Sequence, residues 1–138
     1  MSVERTFVDT NVLLCAYDTQ GGTKHQRASA ALAELWEARA GVVSTQVLQE
    51  FAVNARKKLK APNAAIARVI GTYRAWDVHR IDVEDVLGAL TTSEASMISI
   101  WDALVVVAAV RSGASRLYTE DLNDGQLISG VRVVNPLL

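Results

Sequence analysis

Two hydrophobic patterns alternate along the chain: short β-prone runs and longer stretches with apolar residues at helical spacing. Strands that alternate with helices over the whole length predict βαβ units with right-handed crossovers and a mostly parallel sheet. We therefore expect an α/β fold with three layers, α/β/α. The predicted strands are residues 5–8, 42–43, 78–81, 116–118 and 131–134.

Capping residues and helix breakers predict where each helix begins and ends. Pro62 is expected in the first turn of its helix, where its missing N–H costs nothing. The first three predicted helices are one from Val12 capped by Asn11, one over residues 24–39 capped by Thr23 and stopped by Gly41, and one capped by Ser44 or Thr45 that ends before Pro62. The other three are one from Pro62 to about Trp76, one over residues 83–90 capped by Asp82, and one around Asp102 that runs to Gly113.

Two carboxylates follow predicted strands directly. Asp9 comes after the first strand, and Asp121 comes after the strand at residues 116–118. In an open parallel sheet, ligands bind beyond the C-terminal ends of the strands, so both residues are candidates for a site. Asp124 lies in the same segment beside Gly125 and is either a further ligand or the residue that forms the turn.

Two further acidic residues lie on predicted helices. Asp102 is surrounded by apolar residues, and a charge buried there would need a cation or several donors. It therefore either caps its helix or binds a metal ion. Glu50, taken alone, is typical of a solvated helix residue.

The four carboxylates Asp9, Glu50, Asp102 and Asp121 could share one cleft if both helices begin at the rim formed by the strand ends. Clustered carboxylates repel one another, and a hard divalent cation relieves the repulsion. An all-oxygen site without local His or Cys favours Mg²⁺, with Mn²⁺ possible, over zinc. Such a site is suited to hydrolysing a phosphodiester bond.

The net charge of the chain is negative only when the four candidate carboxylates are counted. The chain has 138 residues with a formal net charge of −1, which argues against a bulk nucleic-acid binder. Without the four candidate carboxylates, eleven acidic residues face fourteen basic ones and leave +3. The net charge therefore does not exclude an RNA substrate.

Length and composition indicate one compact domain over residues 1–138. Half of the residues are hydrophobic and 21% are charged, which excludes intrinsic disorder. Cys15 is the single cysteine, so an internal disulfide is excluded and a reducing, cytoplasmic location is expected. We see no secretory signal and no apolar run long enough to span a membrane.

Four ordered blocks resemble the PIN-domain family, and most closely its VapC-type ribonuclease toxins. The likeness covers nearly the whole chain, although Cys15 stands where many members carry an aromatic residue. The blocks are residues 7–14 (FVDTNVLL), 46–51 (QVLQEF), 100–103 (IWDA) and 119–126 (TEDLNDGQ).

This resemblance implies a PIN-like α/β/α domain and Mg²⁺- or Mn²⁺-dependent cleavage of RNA. It matches Asp9, Glu50, Asp102 and Asp121 to the family's catalytic acidic quartet, with Asp9, Asp102 and Asp121 as metal ligands and Glu50 acting through water. Thr119 matches a frequent hydroxyl position near the site. The resemblance also implies a homodimer and inhibition by a small VapB-type antitoxin.

Other kinds of protein also fit parts of this pattern. Response-regulator receivers and haloacid-dehalogenase-like phosphatases also place an Asp after the first strand, but both need a lysine late in the chain, and the last lysine here is Lys60. A non-enzymatic α/β interaction module would have the acidic residues as caps and surface charges. A PIN nuclease with a role in RNA processing rather than toxicity is a further alternative.

The histidines, the tryptophans and a basic cluster each have a structural interpretation. His25 and His79 lie away from the acidic blocks and are expected at surface or helix-start positions. The basic residues 56–58 and Lys60 either contact RNA phosphates or form a solvated helix end. Trp36, Trp76 and Trp101 are expected to pack helices onto the sheet rather than stack bases.

Overall fold

A computed structural model describes residues 2–138, and within this range the chain forms one six-stranded sheet and six α-helices. The strands are β1 Thr6–Val8, β2 Gly41–Ser44, β3 Asp77–His79, β4 Arg116–Tyr118, β5 Leu127–Ile128 and β6 Val131–Val134. The helices are α1 Thr10–Tyr17, α2 Gly22–Ala38, α3 Thr45–Lys58, α4 Asn63–Thr72, α5 Val83–Ser96 and α6 Ile100–Arg111, with a 3₁₀ turn at Tyr73–Ala75.

The sheet is parallel except at one edge. Its strand order is β3-β2-β1-β4-β6-β5, and only the pairing of β5 with β6 is antiparallel among the described strands. The chain moves from β1 through β2 to β3 on one side and then crosses to β4 on the other. Right-handed crossovers therefore place α1–α4 on one face of the sheet and α5–α6 on the opposite face. The expected three-layer α/β/α fold with a mostly parallel sheet is confirmed.

The topological switch point of the sheet lies at β1, where the order in which the chain adds strands reverses. β1 pairs with β2 on one side and with β4 on the other, and Val8 lies opposite Tyr118 in the register of β1 and β4. The next residues along these strands, Asp9 and Thr119, consequently emerge side by side. This edge is where ligands bind in open α/β sheets.

The core lies on both faces of the central strands. Phe7, Val42 and Leu117 point from three neighbouring strands and are completely buried. Gly41 packs against Trp76, and a Cβ at Gly41 would lie 2.6 Å from the Trp76 ring. The aromatic rings of Trp36, Tyr73 and Trp76 lie with centroids 4.9–5.2 Å apart. Trp36 and Trp76 therefore pack as expected.

Several predicted boundaries are wrong, each for a local reason. Asp9, not Asn11, is the N-cap of α1, and its side chain accepts a hydrogen bond from Thr10 N. Gly21, not Thr23, precedes α2, and α2 ends at Ala38 with Arg39 as a left-handed C-cap, φ 55°, so that Gly41 is free to join β2. Pro62 is the N-cap of α4 rather than a residue of its first turn.

Other elements differ mainly in length. The helix predicted to reach about Trp76 ends at Thr72 and continues only as the 3₁₀ turn. The predicted strand at residues 78–81 is Asp77–His79. The helix capped by Asp82 continues past residue 90 to Ser96. The short strand β5 was not predicted from the sequence.

None of the described helices is individually long and apolar enough to cross a membrane; α5 and α6 reach that length and composition only as a pair, across a bend of 113°.

Candidate active site

An open cleft of about 380 Å³ lies at the C-terminal edge of the sheet. Three aspartates from distant parts of the chain meet in it: Asp9 after β1, Asp102 in the first turn of α6, and Asp121 after β4. One carboxylate oxygen from each lies within 4.8 Å of those of the other two. Glu50, from the second turn of α3, lines the same cleft but is not part of this three-residue group.

Asp9 is the most tightly held of the three aspartates. Its side chain is only 5% exposed, its Oδ1 accepts a 2.8 Å hydrogen bond from Thr10 N, and its Oδ2 accepts one of the same length from the Thr119 hydroxyl. Burial raises the pKa of Asp9 to about 7, and the charges of Asp121 and Glu50 act in the same direction. The two hydrogen bonds lower the pKa but do not offset the effect of burial. A bound cation would remove this penalty.

Asp102 holds its position because of a neighbouring cap. Ser99 is the N-cap of α6, and its hydroxyl accepts a 3.0 Å hydrogen bond from Asp102 N. The carboxylate of Asp102 is therefore not the capping group, which excludes one of the two roles considered for it from the sequence. Its place in the first turn puts the charge near the positive end of the helix dipole.

Asp121 is more exposed and is influenced by charges of both signs. Partial burial raises its pKa, and the charges of Asp102 and Glu120 act in the same direction, whereas Asn11 and Lys58 oppose the shift. Its backbone N–H donates a 3.1 Å hydrogen bond to the Thr119 hydroxyl. Thr119, which is 1% exposed, thus contacts Asp9 and the backbone of Asp121.

Glu50 is oriented toward the aspartates by the first turn of α1. Its Oε1 accepts a 2.9 Å hydrogen bond from the Thr10 hydroxyl, and Thr10 follows Asp9 directly. Ser44, the last residue of β2, is the N-cap of α3, and its hydroxyl accepts a hydrogen bond from Val47 N, so the helix starts at the same rim as Asp9. Glu50 is therefore placed beside the three aspartates as a fourth acidic group.

Asp124 and the two histidines lie outside the cleft. Asp124 Oδ1 accepts a 2.8 Å hydrogen bond from Asn135 N, and Gly125 follows with φ +84°, which identifies Asp124 as the turn-forming residue. His25 Nδ1 contacts the Cys15 carbonyl oxygen at 3.0 Å, and His79 Nε2 contacts the buried carboxylate of Asp85 at 2.9 Å. None of these three side chains lines the cleft.

Two cleft residues of α3, Gln46 and Asn54, were not identified as site residues from the sequence, whereas Lys58 belongs to the basic group considered for contact with phosphates. Gln46, Asn54 and Lys58 line the cleft together with Glu50, and all four lie at intervals of four residues on α3. That spacing is readable in the sequence, but only the position of the carboxylate cluster shows which face of the helix is functional. Asn11, expected as a cap, lines the cleft beside Asp121.

Trp101 also lines the cleft, and its expected packing role is wrong. It is 63% exposed, whereas the packing face of α6 is formed by Ala103, Leu104 and Val106. The sequence around it is apolar on every side of the helix, so periodicity alone could not distinguish the exposed position.

The acidic cluster fits a hard divalent cation. Its ligand atoms are all oxygens, they come from three segments of the chain, and one of the carboxylates is buried. Oxygen ligands of this kind suit Mg²⁺ and Mn²⁺. Asp9, Asp102 and Asp121 are the residues that would hold the ion.

Known structures share this fold. A toxin–antitoxin complex from Klebsiella pneumoniae is 22% identical with a TM-score of 0.70, covering 95% of this chain and 97% of that one. VapC20 from Mycobacterium tuberculosis, described as a sarcin-ricin loop cleaving toxin, is 20% identical with a TM-score of 0.65, covering 84% and 89%. DNA-bound VapBC from Salmonella typhimurium is 19% identical with a TM-score of 0.63, covering 95% and 97%.

Sequence comparisons identify the family. A search of curated protein sequences gives no significant match. The family model of the PIN domain, however, matches residues 6–123, a range that includes the five acidic residues lining the cleft, Asp9, Glu50, Asp102, Glu120 and Asp121. This chain belongs to the PIN-domain family, a family of nucleases.

Proposed function

We propose that this protein is a divalent-metal-dependent endoribonuclease and the toxin of a VapBC-type toxin–antitoxin pair. The observation that carries the proposal is the convergence of Asp9, Asp102 and Asp121 at the switch point of the sheet, with ligand oxygens within 4.8 Å of one another. Carboxylates so close together are costly without a cation. The similarity in fold to VapC20, described as a sarcin-ricin loop cleaving toxin, supports RNA as the substrate.

The three aspartates and Glu50 have different proposed roles. Asp9, Asp102 and Asp121 would bind Mg²⁺ or Mn²⁺. When bound, the cation acts as a Lewis acid that lowers the pKa of water and neutralises charge on the phosphate. Glu50, held through Oε1 by the Thr10 hydroxyl, would accept a proton from the attacking water at Oε2. Lys58, an exposed cation that lines the cleft, would bind a phosphate of the substrate.

RNA cleavage by matched variants tests this proposal. Structured RNAs, transfer RNAs and a DNA of the same sequence are incubated with the protein in Mg²⁺ or Mn²⁺. We expect cleavage of RNA by the wild type and by Asp124→Asn, whose carboxylate lies outside the cleft, and loss of cleavage in Asp9→Asn and Asp102→Asn. Equal cleavage by all four proteins would overturn the assignment. Absence of both metal binding and cleavage would favour a non-enzymatic interaction module.

We also propose that the protein forms a homodimer through α5. Val83, Val86, Leu87 and Leu90 lie at helical spacing and are 42–71% exposed, so they form an apolar face on α5. A face of this kind can pair with its own copy around a two-fold axis. Light scattering after size exclusion should show a dimer for the wild type and for Val53→Glu, a change at an exposed apolar residue of α3, and a monomer for Leu87→Glu.

Inhibition by a VapB-type antitoxin can be tested separately from the cleavage of RNA. The similar structures include toxin–antitoxin complexes, and an antitoxin that covers the acidic cleft would block access of RNA. A small protein encoded directly beside this chain should co-purify with it and abolish cleavage. Cleavage without any inhibitor encoded nearby would favour a PIN nuclease that acts in RNA processing. The expected RNA substrate and the free Cys15 are consistent with a cytoplasmic location.

A further inference from the structure

Trp101 is exposed at a position that packing does not explain. It is the second residue of α6, with Asp102 immediately after it, and 63% of it is accessible to solvent. The buried face of α6 begins at Ala103 and continues through Leu104, Val105 and Val106. The indole is therefore much less buried than these residues, but it borders the cleft that contains the three aspartates.

A buried glutamine gives a second, independent indication of a ligand beside Trp101. Gln46, from the first turn of α3, is 7% exposed and lines the same cleft. Its Nε2 donates a 3.4 Å hydrogen bond to the Trp101 carbonyl oxygen, which ties the first turn of α6 to α3. Its Oε1 is buried without a hydrogen-bond partner among residues 2–138. An unpaired buried acceptor is costly, and a donor from a ligand would satisfy it after a small side-chain movement.

The polar face of α3 extends from this point across the cleft. Gln46, Glu50, Asn54 and Lys58 follow one another at four-residue spacing, and all of them line the cleft. Twelve residues of helix correspond to about 18 Å, with an amide near Trp101 at one end and an ammonium group at the other. Glu50 lies between these ends on the helix, and the three aspartates line the same cleft. The face thus offers a path for a single strand, with a base at Trp101 and a phosphate at Lys58.

We propose that Trp101 and Gln46 form a nucleobase-binding subsite next to the scissile phosphate. This inference rests on the proposed nuclease function and identifies the substrate as RNA whose target nucleotide is unpaired. One base stacks on the indole face, and Gln46 accepts a hydrogen bond from a donor on that nucleotide. Stacking on an aromatic ring is strong for every base, so Trp101 contributes affinity and register more than sequence selection.

Steady-state kinetics on a short unstructured RNA test the subsite. We expect Trp101→Ala to raise KM about tenfold with little change in kcat, because the loss of a stacked base weakens binding of the RNA without altering the acidic groups. Trp101→Phe should retain most of the affinity because it keeps an aromatic face. Leu127→Ala serves as the matched control, since Leu127 is 68% exposed but does not line the cleft. Wild-type KM in Trp101→Ala would overturn the proposal.

An abasic substrate separates stacking from a general loss of binding. When the nucleotide beside the cleavage site lacks its base, the wild type should lose about as much affinity as Trp101→Ala loses on intact RNA. Trp101→Ala should lose much less affinity than the wild type on the abasic RNA, because its stacking contact is already absent. If both proteins lose affinity equally on removal of the base, Trp101 does not stack on it and the subsite is rejected.

A binding measurement separates failure of the subsite from failure of the proposed nuclease. Intact RNA titrated into the metal-loaded protein should quench indole fluorescence, and the quenching should disappear in Trp101→Phe while Trp36 and Trp76 remain as internal reference. Quenching without cleavage would retain the subsite and reject the nuclease. Cleavage without quenching, at unchanged KM in Trp101→Ala, would retain the nuclease and reject the subsite. Neither binding nor cleavage would reject both.

Discussion

The Thr119 hydroxyl donates a 2.8 Å hydrogen bond to Oδ2 of Asp9 across 110 positions of the sequence. The same hydroxyl oxygen accepts a 3.1 Å hydrogen bond from the N–H of Asp121. Thr119 is placed there by the register of β1 and β4, in which Val8 lies opposite Tyr118. One buried side chain therefore links two of the three aspartates that form the proposed metal site.

Replacement of Thr119 by valine should weaken metal binding. Thr119→Val keeps the shape of the side chain but removes the hydrogen bond that lowers the pKa of Asp9, so the pKa of Asp9 should rise above about 7. A hydrogen bond to a charged group is worth about 1.5–3 kcal/mol, which corresponds to a loss of Mn²⁺ affinity of about tenfold or more at pH 7. Isothermal titration calorimetry measures this affinity directly.

Thr119→Ser is the matched control for this prediction because it retains the hydroxyl group. Its Mn²⁺ affinity should stay close to that of the wild type. The deficit of Thr119→Val should also narrow at pH 9, where Asp9 is ionised in a larger fraction of both proteins. A deficit of equal size in the serine and valine variants would show that the methyl packing, not the hydrogen bond, determines affinity.

Asp9 should make the metal-free protein less stable as the pH rises. Burial raises the pKa of Asp9 from 3.8 to about 7, so the folded state binds more protons than the unfolded state between these values. The contribution of Asp9 is fully favourable below about pH 4 and is lost as the pH rises through about 7. Asp9→Asn removes this dependence and should be more stable than the wild type at pH 8, by at most about 4 kcal/mol.

Urea denaturation in EDTA at pH 5 and pH 8 measures this effect. The difference between Asp9→Asn and the wild type should be larger at pH 8 than at pH 5. Asp124→Asn, which changes a carboxylate outside the cleft, should follow the wild type at both pH values. A difference between Asp9→Asn and the wild type that is independent of pH would contradict the raised pKa.

The sequence was sufficient where one local pattern determined the outcome. β1 was predictable because a β-prone run ends at a polar residue, and the cap of α3 at Ser44 was predictable because serine is a good N-cap before an apolar stripe. The placement of Asp9 and Asp121 beyond neighbouring strands followed from the rule for parallel sheets. The α/β/α architecture followed from the alternation of the elements.

Tertiary contacts determine several features that could not be predicted from the sequence alone. Ser99 and Asp102 are both acceptable caps, and only the structure shows that Ser99 performs this role and leaves the Asp102 carboxylate free. The two-residue strand β5 is too short for a periodic signal and exists because it pairs with β6. The exposure of Trp101 depends on which face of an entirely apolar helix meets the sheet.

Mn²⁺ or Mg²⁺ should stabilise the folded protein. A ligand that binds only the folded state at 100 times its dissociation constant adds about 2.7 kcal/mol, which corresponds to a rise in Tm of roughly 5–15 °C. The rise should be smaller at pH 6 than at pH 8, because protons compete with the cation for Asp9, whose pKa is about 7. Differential scanning fluorimetry over a series of metal concentrations measures the shift.

Variants within and outside the cleft make the metal prediction specific. Asp102→Asn and Asp121→Asn should each lose most of the metal-dependent rise in Tm, since both contribute to the three-residue group. Glu94→Gln changes an exposed acidic residue of α5 outside the cleft and should respond like the wild type. Equal shifts in all variants would indicate nonspecific binding of the cation at the surface.

Removal of the cap at Ser99 should disturb both the stability and the metal site. Ser99→Ala removes the hydrogen bond that Asp102 N donates, at a cost of about 1 kcal/mol, and frays the turn that carries the Asp102 carboxylate. We expect a lower Tm and weaker Mn²⁺ binding, both restored by Ser99→Thr. Asp82→Ala is the matched control, because Asp82 caps α5 outside the cleft and should lower the Tm without weakening metal binding. If Asp82→Ala weakened Mn²⁺ binding as much as Ser99→Ala, general destabilisation rather than the position of Asp102 would explain the loss.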